Sequence, residues 1–224
     1  MVEEKITLVE YTKKQEQWNC ITHAVGAAMG VAAVVVCVIR SLPAHSLRIT
    51  LSGVIYGLSM IVMYTASAVY HGLPVGNAKR YARLIDHSMV FLIIAGTATP
   101  CALVTLYNIS AFHCWLVFCV AWLSAVIGIL SAVFFFEKSK AVRMVLYIGE
   151  GFVMITSVLP IIDSIDKTAY ATLWLGCGVL LLGAVLFGLG RKYAQLHTVF
   201  HVFVLAGTAI HFYGIATYVF SFAP

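Results

Sequence analysis

The chain has 224 residues, 62% of them hydrophobic and 10% Asp, Glu, Lys or Arg, with a mean hydropathy of +0.97. Soluble domains carry about 25% charged residues, so this composition excludes one and points to a polytopic membrane protein. The formal charge of +5 sits in short runs without a basic aromatic stripe, which reads as topogenic loops and gives no sign of nucleic-acid binding.

The opening "MVEEKITLVEYTKKQEQW" is polar and mixed in charge. It reads as a tail over residues 1–18, with no cleavable signal, ahead of a single transmembrane domain over 19–224. A bilayer-spanning helix needs about 20 mostly apolar residues. Seven such spans are predicted, near 20–39, 50–70, 87–107, 112–136, 144–162, 170–190 and 197–220. The apolar runs are too long for membrane β-strands and do not alternate, so the fold class is an all-α integral membrane protein, a seven-transmembrane-helix bundle.

The first span opens with Asn19 and His23, and its Gly26 and Gly30 form a GxxxG suited to close helix packing. The second ends in "SAVYH", with Ser67 and His71 four residues apart. Asp86 and His87 open the third, and Pro100 is expected to kink or end it. Only "YNIS" at 107–110 separates the third span from the fourth. In the fifth, Glu150 stands between Gly149 and Gly151, and a protonated side chain making one interhelical hydrogen bond is the expectation. Pro160 closes that span. The seventh holds His197, His201 and His211. The six cysteines lie in apolar segments without CxxC spacing and read as small core hydrophobes.

Lys and Arg fix the expected orientation. With the N-terminus inside, eleven of the fourteen fall in inner segments: Lys5, Lys13, Lys14, Lys79, Arg80, Arg83, Lys138, Lys140, Arg143, Arg191 and Lys192. Only Arg40, Arg48 and Lys167 fall outside. The N-terminus is therefore expected in the cytoplasm and the C-terminus outside. Threading the spans in that sense brings His23, His71, His87, His197 and His201 to one level near the cytoplasmic leaflet. His45 and His113 go to the outer loops.

Residues i and i+4 share a helix face, about 6 Å apart along the axis, so His197 and His201 can direct two ring nitrogens at one cation. With His71 they make three imidazoles, and three imidazoles plus a water form an open, catalytic Zn²⁺ site. Asp86 is placed to hold or deprotonate that water, and the Ser67 hydroxyl to bond the water or a developing oxyanion. Asn19 and His23 are expected to orient a ligand or Asp86 rather than bind metal. His87 is turned by about 100° from Asp86 and partly away from the site. His211 lies about 15 Å beyond His201 along the helix, too far to share the ion, and is expected to hydrogen-bond within the bundle.

The stretches "NCITHAVG" at 19–26, "SAVYH" at 67–71, "DHSMVFLIIAGTATP" at 86–100 and "HTVFHVFVLAGTAIHFYG" at 197–214 together resemble the haemolysin III branch of the progestin and adipoQ receptor family. The resemblance implies zinc held by His71, His197 and His201, with Asp86 near its water and Ser67 beside it. It also implies a cytoplasmic N-terminus, and the short tail resembles a bacterial member in the cell membrane. Receptor-like relatives imply a zinc-dependent, ceramidase-like lipid amidase; the bacterial branch implies haemolytic or membrane-homeostasis activity. A pore needs a polar stripe across the whole bilayer, whereas the polar residues here gather on one side. The expected function is therefore hydrolysis of a lipid amide or ester at the cytoplasmic leaflet, with membrane lipids as partners. The alternative is a non-enzymatic membrane-homeostasis, lipid-sensing or haemolysin-like protein with structural zinc. An ion or proton pathway would rest on Glu150 and His211 alone.

Overall fold

The computed structural model describes residues 6–190 and 192–221; Lys5 and Arg191, which enter the charge count, lie outside the described residues. Seven α-helices follow one another: α1 Lys13–Ser41, α2 Leu47–Gly72, α3 Asn77–Pro100, α4 Ala111–Phe135, α5 Lys140–Thr156, α6 Lys167–Gly190 and α7 Gln195–Gly214. Six of them, α5 excepted, are long and apolar enough to cross a membrane. With the composition, this makes the chain a multi-pass helical membrane protein.

Helix starts and stops follow local chemistry. The Thr12 side chain accepts from the Gln15 backbone N–H, while the Gln15 side chain accepts from the Thr12 N–H, so α1 begins with a capping box. Helix α1 thus starts at Lys13, well ahead of the expected span at 20, and carries part of the expected tail into the bundle. Helix α3 runs to Pro100, continues as a wide π turn over Cys101–Thr105 and ends in the 3₁₀ turn Leu106–Asn108. Proline lacks the N–H that would continue the α pattern, and the wider turn absorbs the mismatch. The "YNIS" stretch does separate two helices, with the Ser110 side chain capping α4.

The bounds of the expected fifth span, 144–162, are corrected to those of α5. This helix has 17 residues, about 26 Å at 1.5 Å per residue, at the lower end of the length that crosses the roughly 30 Å hydrocarbon core. Ser157 closes it, and the chain turns through the 3₁₀ segment Leu159–Ser164 around Pro160.

Helices α1 and α2 pack on each other most extensively, as do α6 and α7; α3 lies against α2, α4 and α5, and α7 meets α1. The α1–α2 seam depends on glycine. A Cβ on Gly30 would stand 2.8 Å from the Ile61 nitrogen, and one on Gly57 2.6 Å from the Val34 nitrogen, so neither backbone can admit a side chain without shifting. Gly26 likewise makes room for the Tyr64 ring. The Gly26–Gly30 pair is therefore the packing device that its spacing suggests. Hydroxyls within the spans bond back to their own helix: Ser52 to the Ile49 carbonyl, Ser59 to Tyr56, Thr97 to Ile93 and Thr99 to Ala95. Such local partners make polar side chains tolerable where no water is available.

Alternating helix directions place the N-terminal ends of α1, α3 and α7 and the C-terminal end of α2 together. Lys79, Arg83 and Glu16 meet there, next to Glu137 and Lys140 of the α4–α5 turn. At the far end, Arg40 donates to the Ala216 carbonyl at 2.9 Å and Arg48 covers the Tyr107 ring at 3.7 Å. The two ends thus differ in charge as well as in content.

Two outcomes test this arrangement. Gly57→Val should destabilise the bundle by about 1–3 kcal/mol, as overpacking does, read as a lowered melting temperature in detergent. In a cysteine-free background, an impermeant thiol reagent should label Asn108→Cys and Ser164→Cys on intact cells, and Asn77→Cys and Lys138→Cys only after lysis, because basic loops are retained in the cytoplasm. All four positions are exposed. The reverse pattern would invert the protein, and labelling of Asn108→Cys and Lys138→Cys from one side would deny that α4 spans.

Candidate metal centre

The last turns of α2 and the first turns of α7 hold three buried imidazoles, those of His71, His197 and His201. One nitrogen from each lies within 4.8 Å of the other two, a group that could hold a metal ion. His197 Nε2 and His201 Nε2 face each other at 3.1 Å. On a tetrahedral ion with bonds of about 2.0–2.1 Å, neighbouring ligand nitrogens stand about 3.3–3.4 Å apart, so this pair already has nearly the spacing of two ligands. The i,i+4 placement produces it, because both side chains project from one face of α7.

The free atoms of the cluster fit a cation. His71 Nε2 is buried without a hydrogen-bond partner. Its Nδ1 is 2.6 Å from Glu16 Oε2, a contact that in the neutral ring puts the proton on Nδ1 and the lone pair on Nε2. Two facing Nε2 atoms can make one hydrogen bond at best, and only if one of them is protonated; a cation between them takes both lone pairs. His201 Nδ1 has no well-formed partner, and the polar group beside that ring is the backbone of Asn19.

Asp86 of α3 lies beside His71, and the Ser67 hydroxyl donates to its carboxylate. Ser67 is buried one turn before His71 on the same face of α2. Asp86 contributes no atom to the converging nitrogens. Arg83, one turn before Asp86 on α3, is close enough to act on it electrostatically.

The supporting residues expected from the sequence divide. Asn19 does approach a ligand, its Nδ2 standing 3.4 Å from His71 Nδ1. His23 stacks on His201 with ring centroids 3.8 Å apart and sits edge-on to Tyr64. His87 turns away, toward Phe136 and Phe187. His211 bonds within the bundle, its Nε2 lying 3.1 Å from the Leu173 carbonyl in a space left open by Gly176. Glu150 differs from expectation. It is buried, and neither carboxyl oxygen has a hydrogen-bond partner among the described residues, so the interhelical bond expected of it is not made. On the short α5, Gly149 and Gly151 flank it with nothing within 4 Å of where a Cβ would stand.

Sequence reasoning missed three residues. Glu16, assigned to the tail, bonds His71 with one oxygen and Lys79 Nζ with the other at 2.9 Å. Lys79, counted only as a topogenic charge, is 2% exposed and donates to the carbonyls of Tyr70 at 3.0 Å and Leu73 at 2.9 Å. Tyr11 stacks on His197 with centroids 4.9 Å apart and also meets His71 at 5.8 Å. Burial, with Tyr70 nearby, holds the Tyr11 phenol above its ordinary range. The segment before α1 is tied down around it. Ile6 packs with Ala132, Phe136 and Leu84, Thr7 donates to Glu137 Oε1 at 3.1 Å, and Arg83 donates to the Thr7 carbonyl. The capping box and the spacing of Glu16, Asn19 and His23 along one helical face were the signals for an earlier start of α1.

Comparison with known proteins agrees with these features. The family described as Haemolysin-III related matches residues 11–212. Hemolysin-3 of Bacillus cereus is 29% identical over 216 residues, covering 96% of this chain and 97% of that protein. The Hemolysin-3 homolog of Bacillus subtilis (strain 168) is 30% identical over 208 residues, covering 93% and 96%. The human Monocyte to macrophage differentiation factor is 26% identical, covering 90% and 83%. No solved structure matches the chain.

His71→Ala, His197→Ala and His201→Ala should each lower bound zinc in the purified protein, and with it the melting temperature. An ion bound only by the folded state stabilises that state, by about 2.7 kcal/mol at a hundredfold excess over Kd. Equal zinc content in wild type and all three variants would remove the site.

Proposed function

We propose that this chain is a zinc-dependent lipid hydrolase. It belongs to the haemolysin III-related family, and the observation that carries the proposal is the convergence of three imidazole nitrogens beside Asp86 and Ser67. His71, His197 and His201 would hold the ion. When bound, zinc supplies a Lewis acid and brings the pKa of a coordinated water to about 7.

The chain's own groups complete the reading. Asp86 accepts a proton from the attacking water and returns it to the leaving group. Ser67, which donates to Asp86, orients that carboxylate and is within the same turn as a metal ligand. Three protein nitrogens leave a coordination position for water, the pattern of catalytic rather than structural zinc. Of the carboxylates nearby, Glu16 is engaged with His71 and Lys79, and Asp86 with Ser67; His23, whose ring nitrogens have no hydrogen-bond partner, stacks on His201 outside the converging group. The position of the cluster at helix ends, within a wall of exposed apolar side chains, suits a substrate with an amide or ester at headgroup depth and acyl chains in the bilayer. The charge bias supports the cytoplasmic leaflet for that depth, and the bacterial relatives support a bacterial cell membrane.

Asp86→Asn should keep zinc and abolish hydrolysis, because an amide is a poor base but retains the size and an acceptor for Ser67. The measurement is release of fatty acid from ceramide and ester-lipid vesicles, with chelator as the zero. Undiminished turnover by Asp86→Asn would refute the role given to Asp86. Zinc binding without turnover of either lipid class would leave the non-enzymatic reading, with zinc as a structural ion.

A further inference from the structure

We infer that Glu16 is a positioning residue for the metal centre: with Lys79 it fixes the protonation pattern and orientation of His71, and thereby sets the affinity for zinc. The inference rests on the metal reading above.

Lys79 has a structural use of its own. The last carbonyls of α2 have no partners within the helix, and Lys79 supplies donors to those of Tyr70 and Leu73; a cation at a helix C-terminus is also favoured by the helix dipole. Glu16 stands in the first turn of α1, where the helix dipole favours its charge, but that effect calls for no particular partner. Both of its partners lie on other elements, His71 on α2 and Lys79 on α3. Its two oxygens divide, Oε1 at 2.9 Å from Lys79 Nζ and Oε2 at 2.6 Å from His71 Nδ1. The second contact has the length of a charge-assisted hydrogen bond.

The consequence falls on the far side of the His71 ring. In the neutral ring, a carboxylate at Nδ1 selects the tautomer with its proton there and its lone pair on Nε2, and Nε2 is the buried atom without a partner. A carboxylate behind a ligand imidazole fixes its tautomer and raises its basicity, and loss of such a partner weakens metal binding about 10–100-fold. Asn19 does not substitute for it. Its amide nitrogen is 3.4 Å from the same Nδ1 and offers a donor to an atom that is itself donating. Among the described residues the carboxylate paired with an imidazole of the cluster is that of Glu16, on His71, so Glu16 acts on one ligand of the three.

The test uses the full chain in detergent, stripped of metal and titrated with zinc against a buffering chelator. Glu16→Gln keeps the size and should weaken zinc binding by about 10–100-fold. The melting temperature of the zinc-free protein reports whether the fold has suffered. Since Glu16→Gln leaves the Lys79 charge unbalanced, Glu16→Gln/Lys79→Gln provides a neutral pair in which both amides can still bond. The double variant should melt near the wild type without zinc yet keep the weakened affinity. Wild-type zinc affinity in either folded variant would overturn the inference and leave the metal site standing. No zinc binding by the wild type would overturn both.

Discussion

An imidazole inside a membrane protein is acceptable only if its polar edge is satisfied, because no water is present to do it. His71 shows how the constraint is met on one side of a ring and left open on the other. One nitrogen has a carboxylate at 2.6 Å and the other has nothing. The chain spends four helix ends on this small volume: Glu16 from α1, Ser67 and His71 from α2, Lys79 and Asp86 from α3, and His197 and His201 from α7. The glycine seam between α1 and α2 belongs to the same constraint, since Glu16 reaches His71 only if the two helices run close together. A side chain at Gly26, Gly30 or Gly57 would separate them.

The helices and the imidazole cluster were legible because each rests on a short-range regularity. Apolar runs of bilayer length give helices without any knowledge of packing. Alternation of direction then assigns each helix end to a level, and the i,i+4 spacing of His197 and His201 assigns them a shared face. His71 joins them by threading alone, and the three come together in the structure. The resemblance to the haemolysin III family, carried by "SAVYH" and "HTVFH" among other stretches, agrees with the family match over 11–212.

Glu16, Lys79 and Tyr11 were hidden for a common reason. Each stands in a polar stretch that composition assigns to solvent, and each is buried by a tertiary contact across elements far apart in sequence: Glu16 with His71, Lys79 with the end of α2, Tyr11 with His197. Charge counts treat Lys79 as a loop cation, although it is 2% exposed. Polarity predicts exposure well on average, and it fails where a buried site needs charge of both signs. Glu150 fails in the opposite direction. Its burial was legible from the apolar run around it, but the bond expected of it depended on a tertiary contact, and neither oxygen has a hydrogen-bond partner among the described residues.

The segment before α1 gives the metal centre an asymmetric enclosure. On one side the bundle closes it: His23 stacks on His201, and Tyr64 stands edge-on behind His23. On the other side the cover is Tyr11, held by residues 6–12 rather than by a helix packed on both flanks. Those residues are fastened chiefly through Glu137 and Arg83. Contacts with Lys140 and the Thr7 backbone hold Glu137 below the usual carboxylate range, against the opposing effect of partial burial. Beyond these, Ile6 packs into a small apolar cluster with Ala132 and Phe136, whereas opening the helical side means breaking the α1–α2 seam and its larger buried core. The route to the imidazoles that breaks fewer contacts is therefore past Tyr11, whose ring is held on His197 by stacking.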